Sequence, residues 1–255
     1  MLIVAVIALW QIGSEFFGDS EDEVEVLAAP QPIVEIVEPP AAIAPAERTP
    51  QQGAVAPPPS AAAELILPEL NDSDAFIKEA LAIFALPADW LDREDLLRRL
   101  AVVVDNAARG EYPRRQLRFL APAGKFAVIE NAQGVFLDPV NYRRFDSYLD
   151  ILEGIDPGVL ATLLKQLSPL VSEALAELGN QGDDQPQILS AIEEILAVPR
   201  VSGDIELVQP KVFYEYADPA LEALSPLQKQ VLRLGPTNIE RLKQYVTMLK
   251  SEING

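Results

Sequence analysis

The sequence contains neither cysteine nor histidine. Without thiols it can form no disulfide, cysteine-ligated zinc site or iron–sulfur cluster, and it has no cysteine nucleophile. Without imidazole it lacks the commonest general base and the commonest transition-metal ligand, and a Ser-His-Asp arrangement is excluded. Catalysis in such a chain is confined to carboxylates, Lys, Arg, Tyr, Ser and Thr, and a metal would have to be a hard cation held by oxygen. Missing cysteine fits a reducing or an oxidising compartment equally. Positive charge is scarce as well: 20 Lys and Arg stand against 39 Asp and Glu, for a net charge of −19. A surface this acidic repels phosphate backbones, so nucleic acid is not an expected partner. No Gly-rich phosphate loop, dinucleotide fingerprint or nucleophile elbow is present, and no cofactor is expected.

What is there divides into three regions. Residues 1–12, MLIVAVIALWQI, carry no charge and end beside Trp10. Twelve helical residues rise only ~18 Å, whereas a bilayer core needs ~30 Å. The segment also lacks the basic start of a signal peptide. It reads as a partial transmembrane anchor whose beginning is missing, the alternative being a buried element of the globular domain. Residues 13–67 hold ten acidic residues, with Arg48 the one basic residue, and prolines from Pro30 to the run Pro57-Pro58-Pro59. Proline breaks helices and ladders, and this composition buries too little surface to offset its ordering entropy, so a disordered acidic Pro-rich linker is expected. Its apolar island Ile33 to Val37 could add to a partner as a strand or be merely a less polar patch of linker.

Residues 68–255 form the expected globular domain. Asn71-Asp72-Ser73-Asp74 offers helix caps before AFIKEALAIFAL, and Pro87 stops that helix. A second helix is expected from Asp89 to about Gly110. Lys125 to Val135 reads as a hairpin turning around Asn131 to Gly134, followed by a short helix from Pro139 to about Glu153. Asp156-Pro157 opens a helix towards Leu178 in which Pro169 predicts a kink. QPQILSAIEEILAV is amphipathic, DIELVQPKVFYEYA is extended, and Asp218-Pro219 and Ser225-Pro226 each begin a short helix. Gly235-Pro236 then separates these from a last helix, TNIERLKQYVTMLKSEI. The fold class is therefore mainly α, a compact multi-helix domain with a small β-hairpin element, preceded by the tether and the partial anchor.

Candidate chemistry is sparse. The Asn71 to Asp74 run lacks the Gly and closing Glu of a calcium loop and sits where a helix cap belongs, and Asp183-Asp184 has the character of a solvated turn. No metal site is expected. Paired carboxylates can hydrolyse a glycosidic bond without histidine, and Asp105, Asp138, Glu206 and Glu215 are the candidates in apolar context. Arg109, Arg114, Arg115 and Arg118 stand out against the acidic background as a surface for a carboxylate or phosphate, or else as partners of the domain's own acids. Arg143-Arg144 beside Tyr142 is similar, and Lys211 to Tyr216 alternates aromatics that line a pocket or pack a core.

Four segments together carry a resemblance: LPELNDSDAFIKEAL, VVVDNAARGEYPR, LDPVNYRRFDSYLDIL, and IELVQPKVFYEYADPALEALSPLQKQVLRLGPTNIERLK. They resemble the bacterial family called domain of unknown function 3014, over about Leu67 to Leu249. The resemblance implies an N-terminal membrane segment, a Pro-rich spacer and a helical domain facing the periplasm, and it transfers no activity, cofactor or catalytic residue. The expectation is a single-pass protein of the bacterial inner membrane with a periplasmic binding or scaffold module. Its partners would be the membrane, through the anchor, and an envelope protein or cell-wall polymer. The alternatives are a carboxylate-based hydrolase of an envelope polymer such as peptidoglycan, and a purely structural subunit of an envelope complex.

Overall fold

In a computed structural model, which describes residues 66–114 and 125–255, the chain from Leu67 onward is mainly helical. The expected anchor, and the tether as far as residue 65, lie outside the described residues. A 3-10 turn at Leu70–Asp72 leads into α1, Ser73–Leu81. The long helix expected from Asp89 is broken in two, α2 at Ala88–Leu91 and α3 at Leu96–Ala108. The cause is tertiary. Asp74 accepts the backbone N–H groups of Asp95 and Leu96 at 2.8 and 2.9 Å, while Asp95 takes the left-handed φ of 57°. A residue expected to cap its own helix instead caps α3, satisfying amides that α3 itself leaves without partners.

The hairpin forms as expected, with β1 at Val128–Asn131 and β2 at Gly134–Leu137. Asn131 Oδ1 closes its turn by accepting from the amides of Gln133 and Gly134. The next helix is also divided, into α4 at Val140–Arg143 and α5 at Asp146–Glu153, because Phe145 turns into the core between them. α6 runs Pro157–Glu177 as one continuous helix with Pro169 inside it, and Asp156 caps it by accepting from Gly158 and Val159 at 2.9 Å. α7 spans Gln185–Leu196. β3, Glu206–Val208, and β4, Glu215–Tyr216, join the hairpin in a four-stranded antiparallel sheet of order β1-β2-β3-β4. The extended segment thus extends the hairpin's sheet, which sequence spacing did not indicate. α8, Pro219–Glu222, and α9, Pro226–Leu232, start at their Asp-Pro and Ser-Pro pairs, and α9 carries a full capping box through Ser225 and Gln228. α10 begins at Gly235 itself and runs to Asn254.

The described residues from Leu67 onward lie within one compact unit. α3 packs on α6 and α7, and α10 packs on the same two helices. Among the described residues α6 is the helix long and apolar enough to cross a membrane, yet half of its apolar stretch is buried in this core. Leu160, Leu164, Leu167, Val171 and Leu175 form its inward face. Burying five such side chains is worth on the order of 10 kcal/mol before chain entropy is charged against it. In the sheet, Val128, Leu137, Leu207 and Tyr216 are buried on one face, while Ile129, Phe136 and Glu206 share the other.

Candidate functional groove

The connection from α7 to β3 passes close to α10. Lys243 Nζ, on α10, donates to the Val198 carbonyl at 2.5 Å, and Arg200 grips Glu240 with Nε and Nη2, both at 2.8 Å. This strap, residues 198–205, forms one bank of a groove of about 360 Å³. Leu137, Tyr142, Val201, Ile205, Leu232 and Ile239 give it an apolar lining, and Asp204 adds a carboxylate. Val201, Pro236 and Ile239 also line a neighbouring hollow of similar volume, which carries Arg200 and Glu240.

The Tyr142 wall is fixed from behind. Gly235, at φ +80°, lies so close that a Cβ placed there would be 2.3 Å from Tyr142 Cγ. Asn238 Nδ2 donates to the Tyr142 carbonyl at 3.2 Å and to Asp146 at 2.9 Å, tying α4 and α5 to α10. Burial raises the Tyr142 phenol above its ordinary value, and nearby Tyr216 and Asp204 push the same way. The Tyr142 phenol therefore keeps its proton at neutral pH, and it shares otherwise apolar walls with the Asp204 side chain.

Of the four arginines singled out by sequence, Arg109 and Arg114 lie among the described residues. Arg109 pairs with Asp105, which also accepts from Asn180 Nδ2 at 2.9 Å. Arg114 is half-buried near Arg233, and Arg115 and Arg118 lie outside the described residues. The Arg114 neighbourhood is assembled by Gly110, whose carbonyl accepts from Leu227 N at 2.9 Å, placing the residues after α3 against α9. Burial lowers the affinity of the Arg114 guanidinium for its proton, and the positive charge of Arg233 lowers it further. Arg233 itself is fully buried beside Tyr216, Tyr112 and Glu222, and its Nη1 donates to Gln230 Oε1 at 3.0 Å.

The candidate carboxylates do not converge on one cleft. Asp105 is held in its ion pair, and Asp138 Oδ1 caps α4 through the Val140 amide at 2.8 Å. Glu206 and Glu215 sit on the sheet face opposite Leu207 and Tyr216. Sequence reasoning missed Asp204, Glu240 and the Tyr142 wall. Their one legible signal was Gly235-Pro236, a glycine whose lack of a side chain lets the tyrosine ring approach. Among the described residues no cluster of three acidic side chains is arranged to hold a metal ion.

No curated protein and no solved structure matches this chain. A family described as a protein of unknown function (DUF3014) matches residues 96–250, which takes in α3 and nearly all of α10, and hence every residue of the groove. The chain belongs to that family.

Proposed function

We propose that the domain is a peptide-binding module, tethered to the bacterial inner membrane and displayed in the periplasm. It captures an extended segment of an envelope protein through the groove between the 198–205 strap and α10. The observation that carries this reading is the groove itself: an apolar trough with a phenol and a carboxylate at defined points, the usual composition of a site that takes one aliphatic anchor and orients it. The exposed Asp204 and the excess of acidic over basic residues in the sequence favour a basic residue beside that anchor. The tethered arrangement rests on the uncharged residues 1–12 and the Pro-rich residues 13–67.

The test is selection from a random peptide library on the full chain, followed by titration of the selected peptides against variants. Val201→Trp fills the trough from a half-exposed position and is expected to weaken binding at least tenfold; Asp204→Lys is expected to remove the preference for a basic residue. Charge reversal at Arg114 and Arg115 should leave this binding intact. If binding survives Val201→Trp but fails on reversal of the arginines, the partner surface is the Arg109 to Arg118 segment and the groove reading is wrong.

A carboxylate hydrolase acting on an envelope polymer is the second reading, favoured by the flanking of the joined hollows by Asp204 and Glu240. Both oxygens of Glu240 are engaged by Arg200. Release of reducing ends from peptidoglycan fragments by the wild type, abolished in Asp204→Asn, would establish it; no release from the wild type removes it.

A further inference from the structure

The junction between α6 and α7 contains a carboxylate that the groove does not use. Asp184 precedes the first turn of α7 and is only 3% exposed. Its Oδ1 accepts from Ser168 Oγ at 2.5 Å and Ser172 Oγ at 3.4 Å, both on α6. Its own amide donates to Ser172 Oγ at 3.1 Å. Two serines one turn apart, on either side of Pro169, therefore hold the start of α7 through a single buried side chain.

The charges around this clasp are the wrong ones for a buried carboxylate. Asp183, its neighbour in the chain, is exposed and shares Ser168, whose Oγ lies 3.4 Å from Asp183 Oδ1. From α6, Lys165 commits its ammonium to the Glu252 carbonyl at 3.1 Å, and Glu173 points to solvent. Gln185 Nε2, at the start of α7, donates to the Ile253 carbonyl of α10 at 3.5 Å, and the Glu252 carboxylate of α10 lies against Gly158. Two hydroxyl donors stabilise a buried anion far less than a cation does.

We propose that Asp184 is an acid-sensitive clasp, so that protonation of its buried carboxyl tightens the α6–α7 junction. A protonated carboxyl keeps an oxygen to accept from Ser168 and gains an O–H donor, while the repulsion from Asp183 disappears. The direction of titration agrees. Burial, reinforced by Asp183 and opposed by the Ser168 hydrogen bond, pushes the Asp184 carboxyl up to about 6. Its unfolded value is near 4, so between those limits the folded state binds the extra proton. Stability from this residue therefore rises as pH falls through about 6 and is lost above it. A domain exposed to an acidifying compartment would close this junction rather than loosen it.

The experiment is a carboxyl-carbon NMR titration of the full-length protein, paired with amide hydrogen exchange of residues 180–188 at pH 5 and pH 7, corrected for intrinsic rates. Asp184 should titrate well above Asp183, and protection should rise several-fold at pH 5. Asp184→Asn, a neutral isostere, should hold the high protection at both pH values, while Asp183→Asn should keep a pH-dependent junction. An Asp184 midpoint near 4 in the wild type overturns the proposal without any variant. So does an unchanged pH dependence in Asp184→Asn.

Discussion

Gly235→Ala is the substitution whose cost the geometry fixes most directly. The added Cβ would sit 2.3, 2.6 and 2.7 Å from Tyr142 Cγ, Cδ2 and Cδ1, so a ring atom must move by about an ångström or the helix must shift. That overpacking is worth roughly 1–3 kcal/mol. The φ of +80° adds roughly 1–2 kcal/mol for any side chain. Together they give a destabilisation of roughly 2–5 kcal/mol, a large share of the 5–15 kcal/mol expected for a whole domain. Urea unfolding followed by circular dichroism would show the midpoint fall with the slope unchanged. The two contributions separate in a double-mutant cycle. Tyr142→Ala removes the clash and leaves the backbone strain, so Gly235→Ala should cost at least about 1 kcal/mol less in that background. Additive effects of the two changes would refute the steric account, and a loss under about 0.5 kcal/mol would refute both parts.

Other consequences follow from the same reading. Asp74→Ala exposes two amides at the start of α3 and should cost about 1–2 kcal/mol, with Asp74→Asn recovering part of it; hydrogen exchange at Asp95 and Leu96 would localise the loss. Glu153 is held below the usual carboxylate range by its hydrogen bond to Arg241, the Nε contact being 2.8 Å. Its folded value is depressed, so its contribution is present above the unfolded value near 4.3 and fades as pH falls through the folded one. Arg241→Met should flatten this acid limb of the stability profile. The loss at pH 7 is expected to stay below about 1 kcal/mol because water screens the pair. This trend is opposite in sign to that of Asp184, and a fit of stability between pH 3 and 8 would resolve the two.

The helices that could be read from sequence are those whose stop and start signals are local. Asp156-Pro157, Asp218-Pro219 and Ser225-Pro226 place the capping oxygen and the missing N–H within a few residues of one another, and each begins a helix in the fold. The breaks at Asp92 to Asp95 and at Phe145 were not legible, because the cause of each lies outside its own segment. One depends on a carboxylate 21 residues upstream, the other on a core that needs an aromatic ring at that point. The candidate site fared similarly. Arg109 had its partner four residues away, within reach of a pattern argument, whereas Arg114 gained its neighbour Arg233 only when Gly110 bound Leu227.

By itself the sequence determined the chemistry this chain cannot perform, the division into an apolar start, an acidic Pro-rich stretch and a helical domain, and the family to which it belongs. These properties are sums over composition or patterns that repeat within a few residues. The tertiary structure decided which polar groups meet. It joined β3 to a hairpin roughly 70 residues earlier, set a tyrosine against a glycine of another helix, and buried Asp184 between two serines of α6. Proximity between distant segments comes from packing around a shared core, and no local spacing encodes it.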